Sequence, residues 1–467
     1  MSLIKSISGI RGTIGGKPGE GLSSLDVVKF TAAFTQVVRN KALANGNAKP
    51  KIVVGRDARL SGKMVDLLVS GTVISMGVDV INIGKASTPT TELAVVGEKA
   101  DGGIIITASH NPLQWNALKL LNEKGEFISD KEGKEVVEMA EKEDFVFADV
   151  LDLGKVYKNQ TWNSRHIDMV CALPLVNVKA IKEAEFTIAV DAVNSVGGEI
   201  IPQLLKALGV ENVIELNCEA NGKFAHTPEP IPENLTQIST LMKNSNADLG
   251  IVVDPDVDRL ALVMENGEMF SEENTLVAVA DYVLGRTKGS TVSNLSSSRA
   301  LRDVSESHGC SYSAAAVGEV NVVAEMKKTG AVIGGEGNGG VIYPELHYGR
   351  DALVGVGLFL SYLAEKKMKM TELKASLPKY EITKNKIALS PEIDVDSILL
   401  KIKEHFKGEK ITDIDGVKID FEDKWVHLRK SNTEPIIRIY AEAHTLEEAD
   451  ELAAEIKKIV DNLGKNA

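Results

Sequence analysis

The residues of this 467-residue chain that can do chemistry fall into four short stretches. The first is Thr107-Ala108-Ser109-His110-Asn111-Pro112, directly after the apolar run Gly103-Ile104-Ile105-Ile106. A strand that delivers a serine into a loop presents the hydroxyl at its C-terminal end, where open α/β sheets bind ligands. Asn111-Pro112 keeps a helix from starting there, because the residue before proline is pushed out of the α region. The second stretch is Asp254-Pro255-Asp256-Val257-Asp258-Arg259, after the strand-like run Ile251-Val252-Val253. Carboxylates at alternating positions can converge on one hard cation, and an oxygen-rich, charge-dense set suits magnesium. An EF-hand is rejected, because its sixth position would be glycine and here it is Arg259, and the strand-like run Leu260 to Met264 interrupts the loop. On these residues alone, an aspartyl-phosphate enzyme with Asp254 as nucleophile and a solvated acidic turn both stay open.

The third stretch is Gly334-Gly335-Glu336-Gly337-Asn338-Gly339-Gly340, in which five of seven residues are glycine. Such a loop lets backbone approach a ligand closely. Its carboxylate and amide suit sugar hydroxyls. The fourth is Arg429-Lys430-Ser431-Asn432-Thr433-Glu434-Pro435-Ile436-Ile437-Arg438. Arginine forks, hydroxyls and loop amides make an anion pocket suited to a phosphate monoester. A charged hairpin turn is the structural alternative.

The elements that must position these loops repeat. A strand, a polar loop, an amphipathic helix and a second strand occur at Lys51 to Val54 through Asp79 to Ile83. They recur at Thr187 to Val190 through Val213 to Leu216, and at Thr291 to Asn294 through Tyr312 to Val317. Units of this length imply right-handed parallel crossovers. Each is followed by another apolar strand, Gly103 to Ile106, Leu249 to Val253 and Ala331 to Ile333, which runs into one of the first three loops. After about Lys374 the pattern predicts a strand over Tyr380 to Ile387 and a helix over Val395 to Phe406. Strands over Val417 to Asp420, Trp425 to Arg429 and Ile436 to Ala443 come next, then a helix over Leu446 to Leu463. The fold expected is α/β: three related α/β domains with mixed sheets plus a C-terminal α+β domain.

Bulk properties narrow the function. With 53 basic and 66 acidic residues, the formal charge of −13 does not suit sequence-independent nucleic-acid binding. Cys171, Cys218 and Cys310 are scattered and form no CxxC pair, which fits a reducing cytosol and argues against a disulfide framework or zinc site. No signal peptide is evident between Met1 and Gly16. The apolar stretch Ala352 to Ala364 is too short to span a bilayer and reads as a buried helix. A cytoplasmic enzyme, monomer or homodimer, without nucleic-acid or membrane partners, is expected.

All four loops, in this order and one per domain, resemble the α-D-phosphohexomutase family, whose members include phosphoglucomutase, phosphomannomutase and phosphoglucosamine mutase. The resemblance covers essentially the whole chain. It implies four domains around a central cleft: residues 1–160 carrying the phosphoserine, 161–267 the metal, 268–374 the sugar-recognition loop, and 375–467 a phosphate-binding lid. It implies that Ser109 is the phosphoserine, and that Asp254, Asp256 and Asp258 bind Mg2+ together with a phosphoserine oxygen, with Arg259 beside the metal. Glu336 and Asn338 take the place of the sugar-recognition loop. Arg429, Ser431, Asn432, Thr433 and Arg438 would bind the non-reacting phosphate. Ser8-Gly9-Ile10-Arg11-Gly12 is similar to the family's first motif, whose arginine points into the active site. Lys119 matches a position suggested as general acid/base, and His110 is expected as loop structure or a phosphate contact.

The implied reaction interconverts a hexose 6-phosphate and a hexose 1-phosphate through a phosphoserine enzyme and a sugar 1,6-bisphosphate. Two departures from the family pattern bear on the substrate. Pro255 replaces a glycine in the metal loop. In the sugar loop Asn338 replaces a serine and Gly340 stands where histidine is usual, with His347 as a nearby imidazole. The Glu-Gly-Asn-Gly-Gly pattern is most similar to phosphoglucosamine mutase-type sequences, so glucosamine phosphate is the expected substrate. Phosphomannomutase/phosphoglucomutase is the alternative, and an aspartyl-phosphate phosphatase or a non-catalytic sugar-phosphate sensor are more distant ones.

Overall fold

A computed structural model of the chain describes residues 3–6, 9–388, 395–430 and 436–465. They form two compact units. The first comprises residues 1–275 and 339–373, and the second residues 276–338 and 374–467.

The first unit holds two mixed sheets. In the larger, strands Leu3–Ser6, Gly9–Thr13, Trp115–Leu121, Gly102–Ile106, Lys51–Arg56, Asp79–Lys85 and Val156–Lys158 lie side by side in that order. The pairings are antiparallel as far as Gly102–Ile106 and parallel beyond it. Gly102–Ile106 is buried along its whole length, as expected of a strand covered on both faces. The core on one face joins Phe30, Phe34, Val69 and Val73 from two helices to Ile52, Val54, Ile104 and Ile106. The smaller sheet runs Leu260–Met264, Leu249–Val253, Thr187–Asp191, Asn212–Leu216. Its first pair is antiparallel and the others parallel, so the strand that ends at Val253 reverses into Leu260–Met264 through the aspartate loop. The helix Ala352–Lys366 is buried from Ala352 through Ala364, and Asp351 caps it by accepting from the Leu353 and Val354 amides at 2.8 and 3.3 Å.

The second unit has parallel strands Tyr312–Ala315, Thr291–Asn294 and Ile333–Glu336, with Thr291–Asn294 in the middle. It also has a five-stranded antiparallel sheet, ordered Glu381–Ala388, Ile436–Ala443, Trp425–Lys430, Val417–Asp420, Lys410–Thr412. Helices Val395–His405 and Leu446–Lys465 supply Ile398, Ile402, Ile456 and Val460 to the core of that sheet, against Val426, Leu428, Ile437 and Ile439.

The strand–helix–strand repeats and the change of texture near residue 374 are present as expected. One element lies elsewhere. The third apolar strand is not Ala331 to Ile333 but Ile333–Glu336, so the first half of the glycine-rich segment is strand and only residues 337–339 turn. Packing explains the difference: a Cβ on Gly334 would sit 2.6 Å from Met326 Sδ and 2.8 Å from the Val292 carbonyl. That glycine serves close approach between strand and helix, not loop freedom. Among the described residues no helix is long and apolar enough to cross a membrane.

Candidate active site

Ser109 sits on the loop between Gly102–Ile106 and Trp115–Leu121, with a positive φ of 49°. A non-glycine residue held there costs on the order of 1–3 kcal/mol and persists only where its surroundings over-determine it. Here they do. The Ser109 amide donates to Thr107 Oγ1 at 3.0 Å, and that hydroxyl donates to Asp57 Oδ2 at 2.7 Å. The fully buried Arg59 guanidinium donates to four loop carbonyls: Ser109 at 2.5 Å, Asn111 at 2.7 Å, and Pro112 and Trp115 at 2.9 Å each. Its Nε pairs with Asp57 Oδ2 at 3.1 Å. Burial pushes the Asp57 carboxyl up while Arg59 opposes the shift. A buried charge needs such a partner and full hydrogen bonding.

The loop aims the Ser109 hydroxyl at the aspartates, and Oγ donates to Asp254 Oδ2 at 2.9 Å. Asp254, Asp256 and Asp258 are all fully buried, and one ligand atom from each lies within 4.8 Å of the others. Val257, between the last two, takes a φ of 61° that turns the chain so that both side chains enter the same space. Its carbonyl is held by the Ala352 amide at 3.2 Å, while the Asp258 and Arg259 amides both donate to Asp254 Oδ1 at 3.2 Å.

The carboxylates are met by cations. Lys119 Nζ donates to Asp256 Oδ2 at 2.7 Å and lies 3.5 Å from Asp258 Oδ2, and Arg350 donates to Asp258 Oδ2 at 2.7 Å. Arg259 Nε stands 4.0 Å from Asp258 Oδ1. Burial and its two anionic neighbours push the Asp254 carboxyl well above the usual range. Burial acts the same way on Asp256, but Lys119 outweighs it and holds that carboxyl below the usual range. For Lys119 burial favours the neutral amine, yet Asp256 and Asp258 keep the ammonium above the ordinary lysine range. His110, whose Nδ1 is 3.3 Å from Ser109 Oγ, is pushed down to about 2 by burial and then by Arg259, Arg350 and Lys119, so its imidazole is neutral.

Whether this pocket suits a cation is decided by its donors. Asp256 Oδ1 and Asp258 Oδ1 are buried and lack a hydrogen-bond partner. Leaving such oxygens bare costs roughly 1–3 kcal/mol each, more for charged groups. An oxygen-only carboxylate set fits a hard divalent ion.

Arg11 lies on Gly9–Thr13, directly opposite Ala117, and so shares a sheet face with Lys119 two residues further along the partner strand. Gly9 permits this register: at its φ of 110° a Cβ would lie 2.3 Å from the Leu118 carbonyl.

In the second unit Glu336 ends its strand nearly buried, its Oε1 accepting from Asn294 Nδ2 at 2.8 Å and the Gly318 amide at 3.1 Å. Asn338 follows on the turn, half-buried. Arg429 and Arg438 are directly opposite each other on the antiparallel strands Trp425–Lys430 and Ile436–Ala443, and Arg429 also donates to Asp415 at 3.3 Å. Like charges in such register are destabilising unless an anion is shared. Ser431, Asn432 and Thr433 lie outside the described residues, as does Ser8 of the N-terminal motif.

His347 directs both ring nitrogens at carboxylates. It is wedged between Asp351 Oδ2 at 3.1 Å and Glu92 Oε2 at 3.2 Å, and although burial opposes protonation, these carboxylates raise it to about 10. Asp57, Arg59, Thr88 and Arg350 are site residues that the sequence reading missed. The available signals were the charged loop Arg56-Asp57-Ala58-Arg59 after a strand, and the Arg350-Asp351 pair before a buried helix.

A serine hydroxyl held on a carboxylate triad flanked by cations, at the strand ends of two mixed sheets, defines a phosphoryl-transfer enzyme class. Family models of phosphoglucomutase/phosphomannomutase α/β/α domains I, II and III match residues 3–147, 164–267 and 271–380, and that of the C-terminal domain matches 365–459. A phosphoglucomutase/phosphomannomutase of Thermococcus kodakarensis is 36% identical over 94% of this chain and 96% of its own length. A probable phosphoglucosamine mutase of Pyrococcus horikoshii is 34% identical over 89% and 91%. The crystal structure of a phosphoglucomutase/phosphomannomutase family protein from Burkholderia thailandensis superposes with a TM-score of 0.85 at 25% identity, covering 99% of this chain and 97% of that one. The chain belongs to the phosphoglucomutase/phosphomannomutase family of phosphohexomutases, which are isomerases.

Proposed function

We propose that the chain interconverts glucosamine 6-phosphate and glucosamine 1-phosphate through phospho-Ser109 and a glucosamine 1,6-bisphosphate. The observation that carries the transfer chemistry is the 2.9 Å hydrogen bond from Ser109 Oγ to Asp254 inside the buried aspartate triad. Asp254, Asp256 and Asp258 would hold Mg2+, joined by a phosphoserine oxygen, and the bound ion neutralises charge on the transferring group.

The chain's own residues do the rest. The P–Oγ bond of phospho-Ser109 breaks as a sugar hydroxyl oxygen bonds to phosphorus. The Lys119 ammonium gives a proton to the departing Ser109 oxygen, and the amine so formed takes the proton that leaves the sugar hydroxyl; the same exchange runs in reverse when the other phosphate goes back to Ser109. Arg11 and Arg259 add positive charge, and neutral His110 can contact a phosphate oxygen. Glu336 and Asn338 grip sugar hydroxyls. Arg429 and Arg438, with Ser431, Asn432 and Thr433, take whichever phosphate is not reacting, because a fork of donors reads the dianion and not the carbon that bears it. The division 1–160, 161–267, 268–374 and 375–467 then separates phosphoserine, metal, sugar and phosphate roles.

Glucosamine is favoured by the Glu336-Gly337-Asn338-Gly339-Gly340 pattern and by the name of the Pyrococcus relative. The Thermococcus relative's name supports phosphomannomutase/phosphoglucomutase activity as the alternative. Assay of the purified enzyme on glucosamine, mannose and glucose phosphates tests the choice. The highest kcat/KM is expected on glucosamine phosphate, and a preference for mannose or glucose phosphate would replace that substrate.

A further inference from the structure

The last two aspartates of the triad share one pattern. Asp258 Oδ2 is taken by Arg350 at 2.7 Å with Lys119 at 3.5 Å, while Asp258 Oδ1 accepts no hydrogen bond, Arg259 Nε standing 4.0 Å away. Asp256 Oδ2 is taken by Lys119 at 2.7 Å and Thr88 Oγ1 at 2.6 Å, while Asp256 Oδ1 is bare. Each carboxylate therefore offers one oxygen. Magnesium accepts single oxygens in a tight octahedral shell, whereas calcium takes 6–8 oxygens and commonly binds carboxylates through both.

We propose that Arg350 is a specificity-determining residue that blocks the second oxygen of Asp258 and so selects a small divalent cation against Ca2+. It rests on the reading of the triad as a cation site.

Arg350 is itself held rigidly. It precedes Asp351, whose Oδ2 accepts from His166 Nε2 at 2.8 Å and His347 Nε2 at 3.1 Å. His166 Nδ1 meets Thr90 Oγ1 at 2.9 Å, and His347 Nδ1 meets Glu92 at 3.2 Å. Thr88, Thr90 and Glu92 all lie on the helix Thr88–Gly97, so one element fixes the cap on Asp256 and the clasp behind Arg350. Gly349 leaves no slack, since a Cβ there would fall 1.8 Å from Glu92 Oε2. A lysine in place of Arg350 keeps the cation and a donor. A methionine removes both at similar length.

Removing a positive charge strengthens binding of every divalent ion alike, so the ratio of Ca2+ to Mg2+ affinity isolates the blocking role. Mn2+ binding to the full-length protein is followed by loss of the free-ion EPR signal, with Mg2+ and Ca2+ as competitors. Arg350→Met should shift the Ca2+:Mg2+ ratio toward Ca2+ by about tenfold, a change of about 1.4 kcal/mol, while Arg350→Lys keeps the wild-type ratio. An unchanged ratio in Arg350→Met, or an equal shift in Arg350→Lys, overturns the proposal while leaving the cation site standing. Absence of Mn2+ binding to the wild type overturns both. If a thermal melt shows that Arg350→Met does not fold, His347→Gln, which loosens the clasp, should move the ratio the same way by a smaller factor. No movement there overturns the proposal.

Discussion

The two units solve charge differently. In the first, Asp256 and Asp258 meet Lys119 and Arg350 directly, and the geometry is strained, with positive φ at Ser109 and Val257. In the second, Arg429 and Arg438 face each other across a regular antiparallel pair, and no described non-glycine residue of those strands has a positive φ. Transfer needs groups fixed before charge moves, and fixing them takes local strain and internal counter-ions. Holding an anion needs only two forks in register. The contrast predicts that lesions in the first unit remove turnover, whereas lesions in the arginine pair weaken capture.

The largest expected effect is therefore at Ser109. Ser109→Ala should lower kcat by at least about 10³-fold, on the scale of removing a covalent nucleophile, with an unchanged melting curve. Residual turnover near wild type would erase the distinction between the units, and label recovered on Asp254 in place of Ser109 would convert the first into an aspartyl-phosphate site. Next is Arg438→Ala, which should raise KM by about 10–100-fold, the loss of charge-assisted bonds to one phosphate, with kcat little changed. A fall in kcat at constant KM would make the second unit part of the transfer machinery.

The smallest effect is on stability, and it has opposite signs in the two units. His347 is raised from 6.5 to about 10, so its contribution is complete below about 6.5 and is lost as pH rises through about 10. Lys418, buried and lowered from 10.5 to about 8, makes the unfolded chain the better proton binder between those values, so the second unit gains stability as pH rises there. Hydrogen exchange followed from pH 7 to 10 should show the first unit weakening and the second strengthening. His347→Gln and Lys418→Met should each flatten one trend by up to about one proton per molecule, and parallel trends in both units would refute the opposition.

Much of this was legible because strand ends announce loops. The runs before Ser109 and Asp254 are apolar and short, and both are the buried strands they resemble. The loop Arg56-Asp57-Ala58-Arg59 was legible as charged, but the task of Arg59 was not, because its carbonyl acceptors lie some fifty positions away and carry no side-chain signature. Arg350 pairs across 92 positions with a carboxylate already assigned to another task. The glycine run at 334–340 read as a loop because glycine's freedom and glycine's small size look alike in sequence, and here size governs at Gly334. The hairpin Leu3–Ser6 and Gly9–Thr13 is short and weakly patterned, and its place beside Trp115–Leu121 comes from tertiary pairing.

The first unit is not continuous in the chain: its helix Ala352–Lys366 follows 63 residues that belong to the other unit. During synthesis, residues 1–275 emerge without the helix that covers Leu260 and the helices Trp162–Cys171 and Val178–Glu183. Their apolar surface must wait, exposed, while the first stretch of the second unit is made. At roughly 5–20 residues per second that interval lasts several seconds. A circular permutant that brings residues 339–373 ahead of 276–338 would shorten it.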